Sequence, residues 1–344
     1  MKAIVVGAVN PAATWLIARV ASLNTGTQPQ KNEPADRQQT MNSNFFISVP
    51  PGIRIVTFPF SQKHPLRSIP LPVSFCASAI VLFVLEKPWS RSTMREEKVF
   101  FTNQRGERLA GILHHPQSGN PRGAVILCHG MESNKESEKL VFLGQALAQR
   151  DMLALRFDFA CVGESTGCFE NITYSGEVED LKAAFLFMRT RYGGKIAILG
   201  SSMGGTVTLL FAAQSPEVSA VVTIAAPLHP ERFLWRLSTP EELQHWRDRG
   251  FTLYHGRRIN VSLLDDLERM NVSDAAKEIS CPVLILHGDR DDVVPVEEAH
   301  ELYRYIPSAK RLSILQGGDH RLSDPSLMNR VVREAMDWLC EYAG

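Results

Sequence analysis

Two adjacent serines sit inside Gly200-Ser201-Ser202-Met203-Gly204, and only Ser202 has glycine at both −2 and +2. In a G-x-S-x-G frame the glycines permit a sharp strand-to-helix turn, with the serine hydroxyl exposed at its apex. The apolar run KIAIL before it and TVTLLFAA after it supply the strand and the helix that this reading requires. A serine hydroxyl is a weak nucleophile until a base takes its proton, and that base needs an orienting partner. An acid and an imidazole are therefore expected elsewhere in the chain.

Both follow downstream. After the run VLILH comes Gly288-Asp289-Arg290-Asp291-Asp292-Val293-Val294-Pro295, and after RLSIL comes Gly317-Gly318-Asp319-His320. His320 alone would read as a surface loop residue and Asp291 alone as a turn former. Together with Ser202 they give the order nucleophile, acid, histidine, each just past a predicted strand end. Asp291 is the favoured acid, with Asp289 and Asp292 as rivals. A fourth segment, Cys128-His129-Gly130-Met131-Glu132, follows the run AVILC. Its backbone is placed to add an oxyanion donor, the Met131 N–H with Glu132 as the alternative, to the N–H of Met203 at the helix start. His129 precedes the nucleophile and is assigned to loop support, and Cys128 to the core.

These residues need a scaffold. Strands are predicted at 97–101, 108–114, 124–128, 152–157, 195–199, 219–225, 283–287 and 311–315, several of them short, continuous and rich in Val, Ile and Leu. That pattern suits strands covered on both faces. Helical spacing recurs at 137–149, 175–191, 203–214, 296–305 and 326–342, with Ser175 as the expected N-cap of the second. Strand–helix alternation predicts a mostly parallel sheet, and the absence of a helix between the first two strands predicts an antiparallel hairpin at one edge. About 55 residues separate Pro227 from Cys281, too many for a simple crossover, so a small cap over about 228–281 is expected. It carries Phe233, Trp235, Trp246, Phe251 and Tyr254, which would either shape an aryl or medium acyl pocket or form the cap's own core.

Composition narrows the class. Apolar residues make up 44% of 344 and charged residues 22%, with 37 basic against 37 acidic side chains, so no charge excess points to nucleic acid. Neutrality conceals a division: residues 1–93 hold nine Lys/Arg against three Asp/Glu, leaving 28 against 34 for the rest. Ten of the 20 prolines also fall in that first stretch. Residues 1–93 are read as a poorly structured or targeting extension, with an upstream stretch outside the functional protein and a membrane anchor as the alternatives. The run Leu71–Leu85, broken by Pro72, is short for a spanning helix, and no membrane association is assigned. The domain is placed at 94–344, the chain from Met94 is expected to suffice for function, and the default location is cytoplasmic. Six cysteines without CxxC or zinc spacing are read as reduced thiols, although Cys161 and Cys168 are near enough in sequence to bridge if oxidised.

The segments HGMESNK, LRFDFACVGESTGCFENITYSGEVEDLKAAFLFMR, LGSSMGG, LILHGDRDDVVP and GGDHRLSDP together resemble the α/β-hydrolase family. They are most similar to its cinnamoyl/feruloyl esterase-like and serine-aminopeptidase-like (S33-type) members. The resemblance spans roughly 96–344. It implies an eight-stranded sheet with helices on both faces and a cap between strands 6 and 7. It further implies a catalytic triad of Ser202, His320 and Asp291 and an oxyanion pair at Met131 and Met203. Two departures stand out. Ser201 occupies the position of the family's usual histidine, and Asp158-Phe159-Ala160-Cys161-Val162-Gly163-Glu164-Ser165 replaces a DFRGHGxS pattern.

The implied activity is hydrolysis of short or medium acyl, or aryl, carboxylic esters, with a small-molecule ester as substrate, no nucleic acid as partner and no metal or organic cofactor. A thioesterase or peptidase would use the same triad, and a non-catalytic binding protein would be expected to have lost it. A dehalogenase would need a carboxylate at position 202. Oligomeric state is written in none of these motifs.

Overall fold

The computed structural model describes residues 95–232 and 239–344 in full and the backbone of two strands, β1 (Ile53–Thr57) and β2 (Val81–Leu85). The chain divides into two units, Met1–Ser92 and Thr93–Gly344. In the first, β1 and β2 pair antiparallel from Ile53↔Leu85 to Thr57↔Val81. This ladder arises in a stretch whose sequence shows no strand period, and it takes the last five residues of the apolar run Leu71–Leu85. The remaining expectations for residues 1–93, Met94, Phe233 and Trp235 lie outside the described residues.

The second unit begins with a hairpin of β3 (Glu96–Thr102) and β4 (Arg108–His114). There follow β5 (Gly123–Cys128), α1 (Glu138–Gln149), β6 (Met152–Phe157), α2 (Tyr174–Arg191), β7 (Ile196–Ser201), α3 (Met203–Ala213) and β8 (Val218–Ile224). An insertion carries α4 (Pro240–Arg249), β9 (Phe251–Tyr254), β10 (Arg257–Asn260), α5 (Ser262–Arg269) and α6 (Val272–Lys277). The chain closes with β11 (Val283–Gly288), α7 (Val296–Tyr305), β12 (Lys310–Leu315) and α8 (Pro325–Ala343).

Eight strands form one sheet in the order β12-β11-β8-β7-β5-β6-β4-β3, and only β4 runs against the others. Every residue of β5, β6 and β11 is buried, as continuous apolar runs covered on both sides must be. Alternate residues divide between two cores. Ala124, Ile126 and Cys128 face α2 and α3, while Val125 and Leu127 face α1 and α8. Full burial contributes roughly 1.5–3 kcal/mol per large aliphatic side chain, so a slip of one residue in this register is heavily penalised.

Local signals place the helix ends. Ser137 caps α1 by accepting from the Leu140 amide, and α4 opens with a reciprocal capping box between Thr239 and Glu242. For α2 the cap is Thr173, which accepts from the Gly176 amide, and not Ser175. Ser175 lies inside the first turn and its amide donates to Asp266 of α5. The long insertion divides in use. Its hairpin turns at His255-Gly256, both with positive φ (48° and 75°), as a two-residue connection requires. Its last helix, α6, packs on α3 and places Ala276 and Ile279 in the main core.

Candidate active site

At the end of β7 the chain turns so sharply that Ser202 adopts φ 54°, ψ −126°, a left-handed conformation costing about 1–3 kcal/mol for a residue with a Cβ. The Ser202 amide donates to the Ile224 carbonyl at 2.8 Å, which holds the turn against β8. Both flanking glycines are sterically required. A Cβ on Gly200 would lie 2.2 Å from the Gly204 carbonyl oxygen, and one on Gly204 would lie 2.3 Å from that of His129. Of the two serines, Ser201 points away and accepts from Lys139 Nζ at 3.2 Å, leaving Ser202 to face the histidine.

The Ser202 Oγ lies 3.0 Å from His320 Nε2, and His320 Nδ1 lies 2.8 Å from Asp291 Oδ2. The loops carrying the last two are drawn together beyond the sheet edge. Gly288 backs so closely onto Gly318 that a Cβ would meet its carbonyl at 2.1 Å, and the Arg290 amide donates to that same carbonyl. Asp291 is buried, and its Oδ1 accepts from the amides of Val293 and Val294 at 2.9 and 2.7 Å. Burial pushes its carboxyl up, but hydrogen bonds from His287, His320 and the Val294 amide outweigh this and hold it well below the usual carboxylate range. The rivals are excluded by position: Asp289 and Asp292 are exposed, and Asp289 accepts from the Gly317 amide.

The segment after β5 lies against the nucleophile, since a Cβ on Gly130 would stand 3.1 Å from that of Ser202. Because β6 and β7 flank β5 on opposite sides, Met131 and Ser202 sit at the point where strand order reverses, the usual binding crevice of such sheets. Met203 is the first residue of α3, so its N–H has no intrahelical acceptor. The Glu132 carboxylate is directed away, to His255 of the hairpin turn. His129 supports the loop from within: its Nδ1 faces the Gly130 carbonyl and its Nε2 accepts from the Phe159 amide. Sequence reasoning missed Lys135. Its ammonium pairs with buried Asp158 at 2.7 Å and with Glu164 at 2.8 Å.

A small cavity, about 60 Å³ within and about 480 Å³ when the open space at its mouth is counted, lies beside Ser202. Met131, Met203, Pro227, Val293, Val294 and Pro295 give it apolar walls, and Tyr174, His229, Arg232 and Glu298 complete the lining. The described cap aromatics are not part of it. Trp246 is buried in the core, and Phe251 lies beneath the guanidinium groups of Arg249 and Arg258. Cys161 and Cys168 are free thiols. Among the described residues no group of three or more His, Cys, Asp or Glu could hold a metal ion, and no helix is long and apolar enough to cross a membrane.

The sheet order, the strained serine at a strand–helix elbow and the convergence of histidine and carboxylate from two later strand ends define the α/β-hydrolase class. The model of the serine aminopeptidase S33 family matches residues 119–247 and 252–324, and the chain belongs to that family. It is 27% identical over 237 residues to 2,6-dihydropseudooxynicotine hydrolase of Paenarthrobacter nicotinovorans, covering 65% of this chain but only 59% of that relative's length. The mitochondrial palmitoyl-protein thioesterase ABHD10 of Mus musculus is 24% identical, over 69% of this chain and 80% of its own. Among solved structures, Est1E of Butyrivibrio proteoclasticus with bound ferulic acid superposes with a TM-score of 0.63 at 22% identity, covering 71% of this chain and 99% of that one. The esterase domain of a Rhodothermus marinus protein gives 0.57 at 28% identity, covering 73% and 100%.

Proposed function

We propose that this hydrolase cleaves carboxylic esters through an acyl-enzyme on Ser202. The hydrogen-bonded line from Ser202 Oγ through His320 to Asp291 carries the reading. As Oγ attacks the carbonyl carbon, His320 Nε2 takes its proton, and Asp291 holds the imidazole by Nδ1 and stabilises the imidazolium. The Met131 and Met203 amides receive the oxyanion. Collapse of the tetrahedral intermediate expels the alkoxide, which takes the proton from His320, and water repeats the sequence on the acyl-enzyme to release the acid.

The lining favours an ester over an aminopeptidase substrate. A free α-ammonium needs an unengaged carboxylate, and the one acidic residue among the described residues of the lining, Glu298, is already occupied. Its Oε2 accepts from the Leu228 and His229 amides, and its Oε1 faces Arg232. The apolar walls beside Ser202 suit a short or medium acyl chain or an aryl group. A thioester is the second reading, favoured by similarity to the palmitoyl-protein thioesterase. The test is labelling of Ser202 by a fluorophosphonate together with a panel of p-nitrophenyl esters and acyl thioesters. Failure of the wild type to label or to cleave any of them would overturn the proposal.

A further inference from the structure

Glu132 directly follows Met131, and its carboxylate reaches the tip of the inserted hairpin, where Oε1 lies 2.7 Å from His255 Nδ1. His255 holds φ 48°, a left-handed conformation that disfavours a Cβ, and so carries a side chain where glycine would turn without strain. Tyr254, whose ring stacks on His255 with centroids 4.3 Å apart, faces the same carboxylate: burial, then the charge of Glu132, pushes its phenol up. The hairpin is itself fastened. Arg257 lies over the ring of Phe169 at 3.2 Å, Asn260 Nδ2 donates to Asn171 Oδ1 at 2.8 Å, and Arg258 pairs with Glu170 at 3.4 Å. All three partners belong to one short 3-10 turn, Phe169–Asn171, just ahead of α2. The loop that carries Met131 is anchored at its two ends by other means. At its start the Ser133 amide donates to the Gly130 carbonyl, and at its far end the Lys135 amide and ammonium both meet Asp158. Between these anchors the Glu132 side chain ties the loop sideways to the hairpin.

Resting on the assignment of the Met131 amide as an oxyanion donor, we infer that Glu132 and His255 are positioning residues, through which the cap hairpin braces the oxyanion loop. An oxyanion donor works only when its N–H is aimed at the point where negative charge develops, and small displacements there are costly. The contact between the two side chains is exposed, and exposed ion pairs add little to stability. Its value lies in orientation. Turnover of even a small ester thereby depends on a segment inserted far from the nucleophile in sequence.

The experiment compares wild type with Glu132→Ala, His255→Ala, the double variant and Glu132→Gln, which keeps an acceptor for the hairpin. Kinetics are read on p-nitrophenyl acetate, chosen for its small acyl group. Each single alanine variant should lose about tenfold in kcat, with KM within about twofold of wild type. The double variant should lose no more than either single one, because the two side chains act as one contact. Glu132→Gln should recover most of the activity, and every variant should melt within about 3 °C of wild type. Backbone order parameters of Met131 and Glu132, measured by NMR, should fall in the alanine variants and recover in Glu132→Gln. Wild-type kcat or unchanged order parameters in Glu132→Ala, additive losses in the double variant, or a loss confined to KM would overturn the inference. A wild type that neither labels nor turns over would sink the hydrolase reading, while the order parameters would still decide whether the hairpin braces the loop.

Discussion

Lys135 Nζ and Asp158 Oδ2 pair at 2.7 Å with both side chains almost fully buried, joining the loop that carries Met131 to the loop after β6. The Lys135 amide donates to the other carboxylate oxygen, so one aspartate holds both the backbone and the side chain of its partner. Lys135→Met would leave Asp158 charged without its counter-ion. Because an uncompensated buried charge costs about 3–5 kcal/mol, urea denaturation should show a loss of that size. Ester hydrolysis should fall with it as the Met131 loop loosens. A variant as stable and active as wild type would mean that the pair contributes nothing to the site.

Asp291→Asn should keep the fold but lower kcat on a p-nitrophenyl ester by about three to four orders of magnitude, because the amide cannot stabilise the imidazolium. Asp289→Asn and Asp292→Asn, at exposed positions off the histidine, should change it less than about threefold, within the range of ordinary surface substitutions. Equal losses for all three would contradict the assignment of the acid.

Gly204→Ala and Gly130→Ala should differ in kind. At Gly204 the new methyl would meet backbone at 2.3 Å, so little folded protein is expected on expression. At Gly130 it would approach the Ser202 Cβ at 3.1 Å, a contact that small shifts relieve. That variant should melt within a few degrees of wild type but lose activity on the order of tenfold or more, since displacement at the reacting atoms is costly.

His114 gives the stability a defined pH dependence. It is fully buried, its Nε2 accepts from Arg156 Nε, and burial, then the charge of Arg156, lowers its pKa from 6.5 to about 3. The unfolded chain takes up this proton below pH 6.5, whereas the folded chain resists it until about 3. The contribution is therefore complete above 6.5 and lost progressively as the pH falls toward 3, at about 1.4 kcal/mol per unit. His114→Gln, which can still accept from Arg156, should flatten the acid limb of stability measured by urea denaturation between pH 6 and 4. An unchanged slope would show that this histidine is not the group responsible.

Much of the scaffold was legible because its causes are local. Continuous Val, Ile and Leu runs announced strands whose ends agree with the structure to within two residues, for example 283–287 against Val283–Gly288 and 195–199 against Ile196–Ser201. Ser175 was misread because two hydroxyl residues lie within one turn of each other, and only the backbone path shows that Thr173 is the one outside the helix. The ladder of β1 and β2 had no legible period, since its strands are short and 23 residues (58–80) lie between them.

The elbow was determined by the chain itself: two glycines flanking Ser202, a strand before and a helix behind leave one serine at the apex, through steric limits acting over five residues. Tertiary structure alone decided which of three aspartates meets His320, because Asp291 and His320 come from different loops brought together where Gly288 backs onto Gly318. It also decided that Trp246 packs inside the core and that the cavity is walled by Met131, Pro227 and Val294. Lys135 and Lys139 gave no sign of their different fates, one paired with a buried carboxylate and the other bonded to a serine. Dihedral limits and periodicity are properties of neighbouring residues, whereas solvation and the field at a charge depend on groups that only the folded chain brings near.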